Sequence, residues 1–350
     1  MSAKGKKPKG GARTKRRPDS LLRRLARRTS LVLAAVYLLL SAVGVWFVGH
    51  PRAWLEERER SWAAPLYAPL FWFGDRAALV LDGLGITGHD AVYEYDEPPP
   101  AGRVFFAGPP RRTGAPAPAD VKILDKGEFV VGYSPSLGHA AWTAYHVPAA
   151  SAYEAGERPG FRKDPDAPSC PAAGAYARTG YDRGHLAPNH AIATRFGPEV
   201  QRKTFYMTNV APQRPSLNRG PWRFVERLLA DVWTHRYGEI WVIAGTIPSV
   251  SSERLSGTAV DVPSACWQLL VAQTDEGVRA LAVVLPQTVR YGEFPVHYLV
   301  TVDELEQMTG YDFLPELPGF IQSALEADRP TRLWPVNFLD VFRLILLRLT

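Results

Sequence analysis

The chain has 350 residues, 46% of them hydrophobic, with 29 Gly and 31 Pro scattered along it, which is enough to bury a core and excludes a collagenous or wholly disordered chain. Its two cysteines, Cys170 and Cys266, form neither a CxxC nor a Cys/His ligand pattern, which excludes a thiolate zinc site and a redox motif. The formal net charge of +6 is concentrated at one end: residues 1–28 carry twelve Lys or Arg against one acid, Asp19, so everything after them sums to −5.

In chain order, residues 1–28 form a basic tail too polar to build a core. A charge-free run follows from Thr29 to Pro51, its apolar centre at Leu31 to Gly49. That is about the ~20 residues a bilayer-spanning helix needs. With the basic flank held inside, it predicts a single-pass anchor with the rest of the chain on the periplasmic or extracellular side. The run is longer than the apolar core of a cleaved leader, typically ~7–15 residues. Trp62 to Phe73 and Ala77 to Leu84 are interrupted by Asp75 and Arg76 and read as an interfacial helix or stalk. Pro98 to Pro118 is a Pro/Gly/Ala linker that marks a domain boundary.

From Val121 the pattern changes. Phe129, Val131 and Tyr133 alternate, as do Trp142, Ala144 and His146 beyond a turn at Ser134 to Gly138, which predicts an antiparallel hairpin. Thr204 to Met207, Ile240 to Ala244, Trp267 to Ala272 and Val278 to Leu285 read as strands. Val302 to Met308 reads as a short helix stopped by Gly310. Val336 to Thr350 is too short to span a membrane and reads as an amphipathic helix.

The chemistry concentrates between Tyr181 and Arg236, opening on Asp182, Arg183, Gly184 and His185. Residues 158–236 hold thirteen Lys or Arg against six acids, a local +7 inside an otherwise acidic remainder, which suits a polyanion lying across this stretch. Cutting a phosphodiester needs a base for water, positive charge for the phosphoryl oxygens and support for the departing oxygen. His185 is the candidate base, since a neutral imidazole is available near pH 7. Arg183, two residues earlier, points to the same side of an extended segment and can hold phosphate oxygens bidentately. Asn218 offers a hard oxygen to magnesium, which keeps most of its waters. Pro221 suits the first position of a helix running through Trp222, Val225, Leu229 and Trp233. Asn218 and Glu226, eight residues apart, then lie about 80° apart around it. Glu226 is placed to hold cation-bound water, and Asn209 to orient the histidine or the phosphate. A lone His is more often structural, and an Asn ahead of a helix is ordinarily a cap. The combination carries the inference.

The run YDRGHLAPNHAIATRFGPEVQRKTFYMTNVAPQRPSLNRGPWRFVE resembles the DNA/RNA non-specific endonuclease family, which includes endonuclease G and belongs to the ββα-metal, or His-Me finger, nucleases. The resemblance spans roughly Val121 to Pro335, with DRGH, TNVAPQ and LNRGPW in family order. It implies an α+β fold: a ββα-metal finger with a central, mainly antiparallel sheet flanked by helices, here preceded by the transmembrane helix. It implies His185 as general base and Asn218 as the protein ligand to a single Mg2+ or similar divalent ion such as Mn2+. Arg183 would stabilise phosphate, with Glu226 and Asn209 in supporting catalytic roles, and the products would carry 5′-phosphates. An arginine from an earlier segment should contact substrate; Arg158 is ranked ahead of Arg162. Arg219 is a further substrate contact, and Arg195, Arg214 and Arg223 are candidates for the same task, whereas His190 reads as structural.

The expected partition is a basic cytoplasmic tail at 1–28, an anchor at 29–51, a stalk and linker at 52–118, a nuclease domain at 119–335 and an amphipathic segment at 336–350. DNA and RNA are the expected substrates and membrane lipid the expected contact of the anchor, with a homodimer and a Cys170–Cys266 pairing both open. The alternatives are a catalytically inactive, membrane-tethered nucleic-acid-binding module and a phosphodiesterase on a non-nucleic-acid substrate.

Overall fold

The computed structural model describes residues 92–93, 102–251, 253–275 and 277–336. All of these belong to the second of two units into which the chain divides, Ala78–Thr350. The basic tail, the apolar run 29–51, the segment 62–84 and residues 337–350 lie outside the described residues.

The strands, in chain order, are β1 (Arg111–Arg112), β2 (Lys122–Asp125), β3 (Phe129–Ser134), β4 (His139–Val147), β5 (Asp182–His185), β6 (Val210–Gln213), β7 (Ile240–Ile247), β8 (Ala265–Thr274), β9 (Gly277–Pro286), β10 (Leu299–Val300) and β11 (Tyr311–Asp312). Seven of them form one antiparallel sheet in the order β10-β9-β8-β7-β4-β3-β2. The expected β3–β4 hairpin is present, with Phe129 opposite Tyr145 and Val131 opposite Thr143.

Side chains alternate across a pleated strand, and here both faces are covered. Val242 and Ala244 of β7 enter one buried cluster, whereas Trp241 and Ile243 enter the other. Burial on both sides explains why β7 to β9 read as near-continuous apolar runs. The first face packs against β5, β6 and a long helical stretch, 215–237. The second packs against α2 (Val302–Thr309) and α3 (Gly319–Ala327), numbered after the α1 helix described below. Helix α2 begins with a capping box, in which Glu304 N–H donates to Thr301 Oγ1 at 3.0 Å and Thr301 N–H donates to Glu304 Oε2 at 3.0 Å, and it stops at left-handed Gly310.

Several expectations are corrected. The chain around Thr204 to Met207 is not a strand: Thr204 ends α1 (Asn189–Thr204), and the strand is β6, after Asn209. Pro221 directly follows a helix break at Gly220 (φ −101°, ψ −118°) and so stands first, as expected, in the helix that runs on through Trp222. The stretch is built of Pro215–Leu217, a π turn at Asn218–Trp222, Arg223–Leu228, a second π turn at Leu229–Trp233, and Thr234–Tyr237. The segment read as a linker packs onto the domain from residue 102 onward. Val104, Phe106, Ala107 and Ala117 are buried, and Trp241 Nε1 donates to the Gly102 carbonyl at 2.9 Å. Among the described residues no helix is long and apolar enough to cross a membrane, which overturns the expected single-pass localisation and its lipid contact. The run 29–51 that suggested them lies outside the described residues. Cys170 and Cys266 are both buried free thiols.

Candidate active site

Strands β5 and β6 form an antiparallel pair of their own, with His185 opposite Val210 and Gly184 opposite Ala211. A Cβ at Gly184 would lie 2.1 Å from Gln213 Oε1 and 2.6 Å from its Cγ, so no other residue fits there without displacing a buried side chain. The glycine serves the packing of the strand pair rather than access for substrate.

His185 is 8% exposed, and its Nε2 is buried without a hydrogen-bond partner. Two aromatic rings fix the imidazole: Phe161 at 5.0 Å between centroids and Phe205 at 4.7 Å, the latter edge-on. Burial, with the Arg158 cation adding to it, lowers the His185 pKa to about 3, so the ring is neutral at pH 7. A phosphate anion entering beside it opposes this shift, because negative charge favours the imidazolium.

His185 lines a cleft of about 600 Å³ shared with Arg158, Phe161, Asp182, Arg183, Asn218, Arg219, Arg223, Glu226 and Arg227. The structure thus gathers six of the seven expected site residues around one space. Arg183 lies on the same face of β5 as His185, with its guanidinium 4.8 Å from the Phe161 ring and Nη1 donating to the Ala173 carbonyl at 3.2 Å. Arg158 sits over Phe205 at 5.7 Å. Its rival Arg162 is absent from the cleft lining and rests over Tyr206 at 5.1 Å.

Asn218 and Glu226 both line the cleft, with a helix break at Gly220 (φ −101°, ψ −118°) between them. Glu226 accepts a hydrogen bond from Trp222 Nε1 at 2.9 Å. Burial raises its pKa to about 8, outweighing that bond and the nearby Arg223, Arg158 and Arg227. Asn218 Nδ2 donates to Asp182 Oδ2 at 2.9 Å, and Asp182 also receives Arg219 Nε at 2.8 Å and Nη2 at 2.7 Å.

Asn209 is the expected residue the structure keeps out of the cleft. It is fully buried; Nδ2 donates to the carbonyls of Ala187 and Thr204 at 3.0 Å each, and Oδ1 accepts from Ala187 N–H at 2.9 Å and Thr143 Oγ1 at 3.3 Å. Its side chain is fully used in clamping the turn after His185 to the end of α1, so it cannot also contact phosphate. Arg195 is likewise structural, buried and donating to the Ala230 and Pro148 carbonyls at 2.6 and 3.2 Å. Arg214 lies over Tyr181 at 5.3 Å, away from the cleft lining. His190 lies at the cleft edge with Nε2 3.0 Å from Asp231 Oδ1.

Sequence reasoning passed over Asp182, Phe161 and Phe205. Asp182 stood in the motif next to Arg183, but its pairing with Asn218 and Arg219 crosses more than 35 positions, and no local pattern announces it.

The donor set fits a hard divalent cation. An amide oxygen and a carboxylate raised by burial face one space, without the several nitrogen or sulfur donors that zinc favours. A cluster of Asp303, Glu306 and Glu326 lies elsewhere, off the cleft.

The sequence profile of the DNA/RNA non-specific endonuclease family matches residues 107–320. The chain is 30% identical over 238 residues to a nuclease of Nostoc sp., covering 64% of this chain and 84% of that protein. It is 27% identical over 233 residues to the mitochondrial nuclease EXOG of Xenopus laevis, covering 61% of this chain and 62% of the relative. A crystal structure of the EndoG/EndoGI complex superposes with a TM-score of 0.51 at 22% identity, covering 56% of this chain and 87% of that one, and shares the fold. With the profile spanning more than half of the sequence and the gathered residues lying inside it, the chain belongs to the DNA/RNA non-specific endonuclease family and is a hydrolase of the nuclease class.

Proposed function

We propose that the cleft hydrolyses internal phosphodiester bonds of both DNA and RNA without reading the sugar, with a divalent cation, Mg2+ or Mn2+, held through Asn218. The observation that carries this reading is a neutral His185 imidazole lining the same cleft as Asn218, Glu226 and five arginines. His185 takes the proton of the attacking water. Arg158 and Arg183 hold the phosphoryl oxygens, Arg219 extends that contact, and Glu226 orients water near Asn218. When bound, the cation supplies positive charge to the phosphoryl and departing oxygens.

The full chain is expected to degrade plasmid DNA and RNA with Mg2+, to lose both activities with excess chelator and to regain both on readdition, read on gels. Persistent cutting in chelator would sink the cation role; binding without cutting at any Mg2+ concentration would leave an inactive binding module. The arginine assignment has its own test. A charge-assisted hydrogen bond contributes about 1.5–3 kcal/mol, so Arg158→Ala should lower kcat/KM by about 10- to 100-fold, whereas Arg162→Ala, off the cleft, should stay near the parent. Equal losses in the two variants would refute the choice between them.

The domain partition proposed with this reading is revised at its start: the nuclease domain includes the buried residues from Val104 onward.

A further inference from the structure

We infer that Asp182 is a positioning residue that fixes which end of the Asn218 amide is presented to a divalent cation. The inference rests on the proposed role of Asn218 and concerns how that ligand is held.

An asparagine amide has two nearly isosteric ends, a donor and an acceptor, and only the oxygen can ligate a cation. Left to rotate, Asn218 would present the wrong end part of the time. Asp182 removes the ambiguity. Both of its oxygens receive guanidinium N–H groups of Arg219, which can only donate, so the carboxylate acts as an acceptor here. An ionised carboxylate accepts and cannot donate. The amide atom 2.9 Å from its Oδ2 is therefore Nδ2, and Oδ1 is the end left over, with no partner among the described residues.

The carboxylate is itself held. It is 18% exposed, sits on β5 two residues before His185, and receives both Nε and Nη2 of Arg219 in a fork. One strand thus carries the base and the group that aims the ligand, while the π turn carries the ligand. Arg219 next to Asn218 has a second consequence: the same fork that steadies Asp182 keeps one guanidinium at the cleft lining.

The test reads cation binding directly, by the loss of the free Mn2+ electron paramagnetic resonance signal on titrating the full chain without nucleic acid. Groups that orient a ligand from behind typically matter by about 10- to 100-fold in affinity, so Asp182→Asn should weaken Mn2+ binding by that factor. Asp182→Glu, which keeps the charge one methylene further out, should fall between. Thermal melts without metal establish that each variant is folded, and Asp182→Ser, smaller and uncharged, replaces Asp182→Asn should that variant fail to fold. Asn218→Ala separates the two levels of the argument. If it binds Mn2+ like the parent, the proposed ligand role falls and this inference with it. If it loses binding while both Asp182→Asn and Asp182→Ser retain parental affinity, the ligand stands and the positioning role of Asp182 is overturned.

Discussion

His185→Gln is expected to lower kcat on DNA and RNA alike by about 10²–10⁴-fold, the contribution typical of a positioned general base, while the protein stays folded. Glutamine fills much of the space between Phe161 and Phe205 but cannot take a proton from water. The variant carries a second, independent signature in acid. The His185 pKa in the folded chain lies near 3, below its ordinary 6.5. Below about pH 6.5 the unfolded chain therefore binds a proton that the folded chain refuses, and the parent loses stability as pH falls from there toward 3. Removing the imidazole removes that loss, so the melting temperature of His185→Gln should fall less steeply over this range. Parental kcat in the variant would end the assignment of His185 as base, and an unchanged acid slope would show that its ring is not held neutral by burial.

Asp164→Ala is expected to destabilise the domain by about 3–5 kcal/mol, because it removes the buried carboxylate from a buried ammonium and leaves Lys126 only the exposed carboxylate of Asp166, 2.7 Å away. Lys126 and Asp164 are 2% and 0% exposed and bonded at 2.7 and 2.8 Å. Asp164 also accepts Thr208 Oγ1 at 2.5 Å and Asp166 N–H at 3.0 Å. For a domain of this size each kcal/mol moves the melting temperature by about 2–4 °C, so the shift should be about 6–20 °C. Lys126→Met should cost a similar amount, since it strands the carboxylate instead. The double variant should cost less than the two singles added, which is the signature of a coupled pair. The consequence reaches the cleft: Asp164 follows the segment that brings Arg158 and Phe161 to His185, and Thr208 precedes Asn209, which clamps the turn after it. A loss of stability below about 1 kcal/mol in either single variant would contradict the account of this pair.

Much of the site was legible because its signals are local. DRGH puts Arg183 and His185 on one face of a strand by period-2 alternation alone, and the glycine stop of α2 directly follows the helix it ends. The hairpin β3–β4 and the apolar runs of β7, β8 and β9 are patterns of neighbours as well. Other readings failed where a local pattern has two structural solutions. Thr204 to Met207 is apolar enough for a strand but is a helix end followed by a tight turn. Asn209 carries the same amide as Asn218, and nothing in its neighbours shows that four buried hydrogen bonds consume it.

The sequence by itself determined the chemistry of this protein: which groups are present, that they suit phosphodiester cleavage, and that they sit in one cationic stretch. Only the tertiary structure decided which of them share a space. Arg158 rather than Arg162 lines the cleft with His185, Asp182 pairs with Asn218, and Asn209 and Arg195 turn inward. The reason is physical. Chemical identity belongs to a residue, whereas orientation and burial depend on partners tens of positions away, brought close by a sheet whose two faces must both be covered.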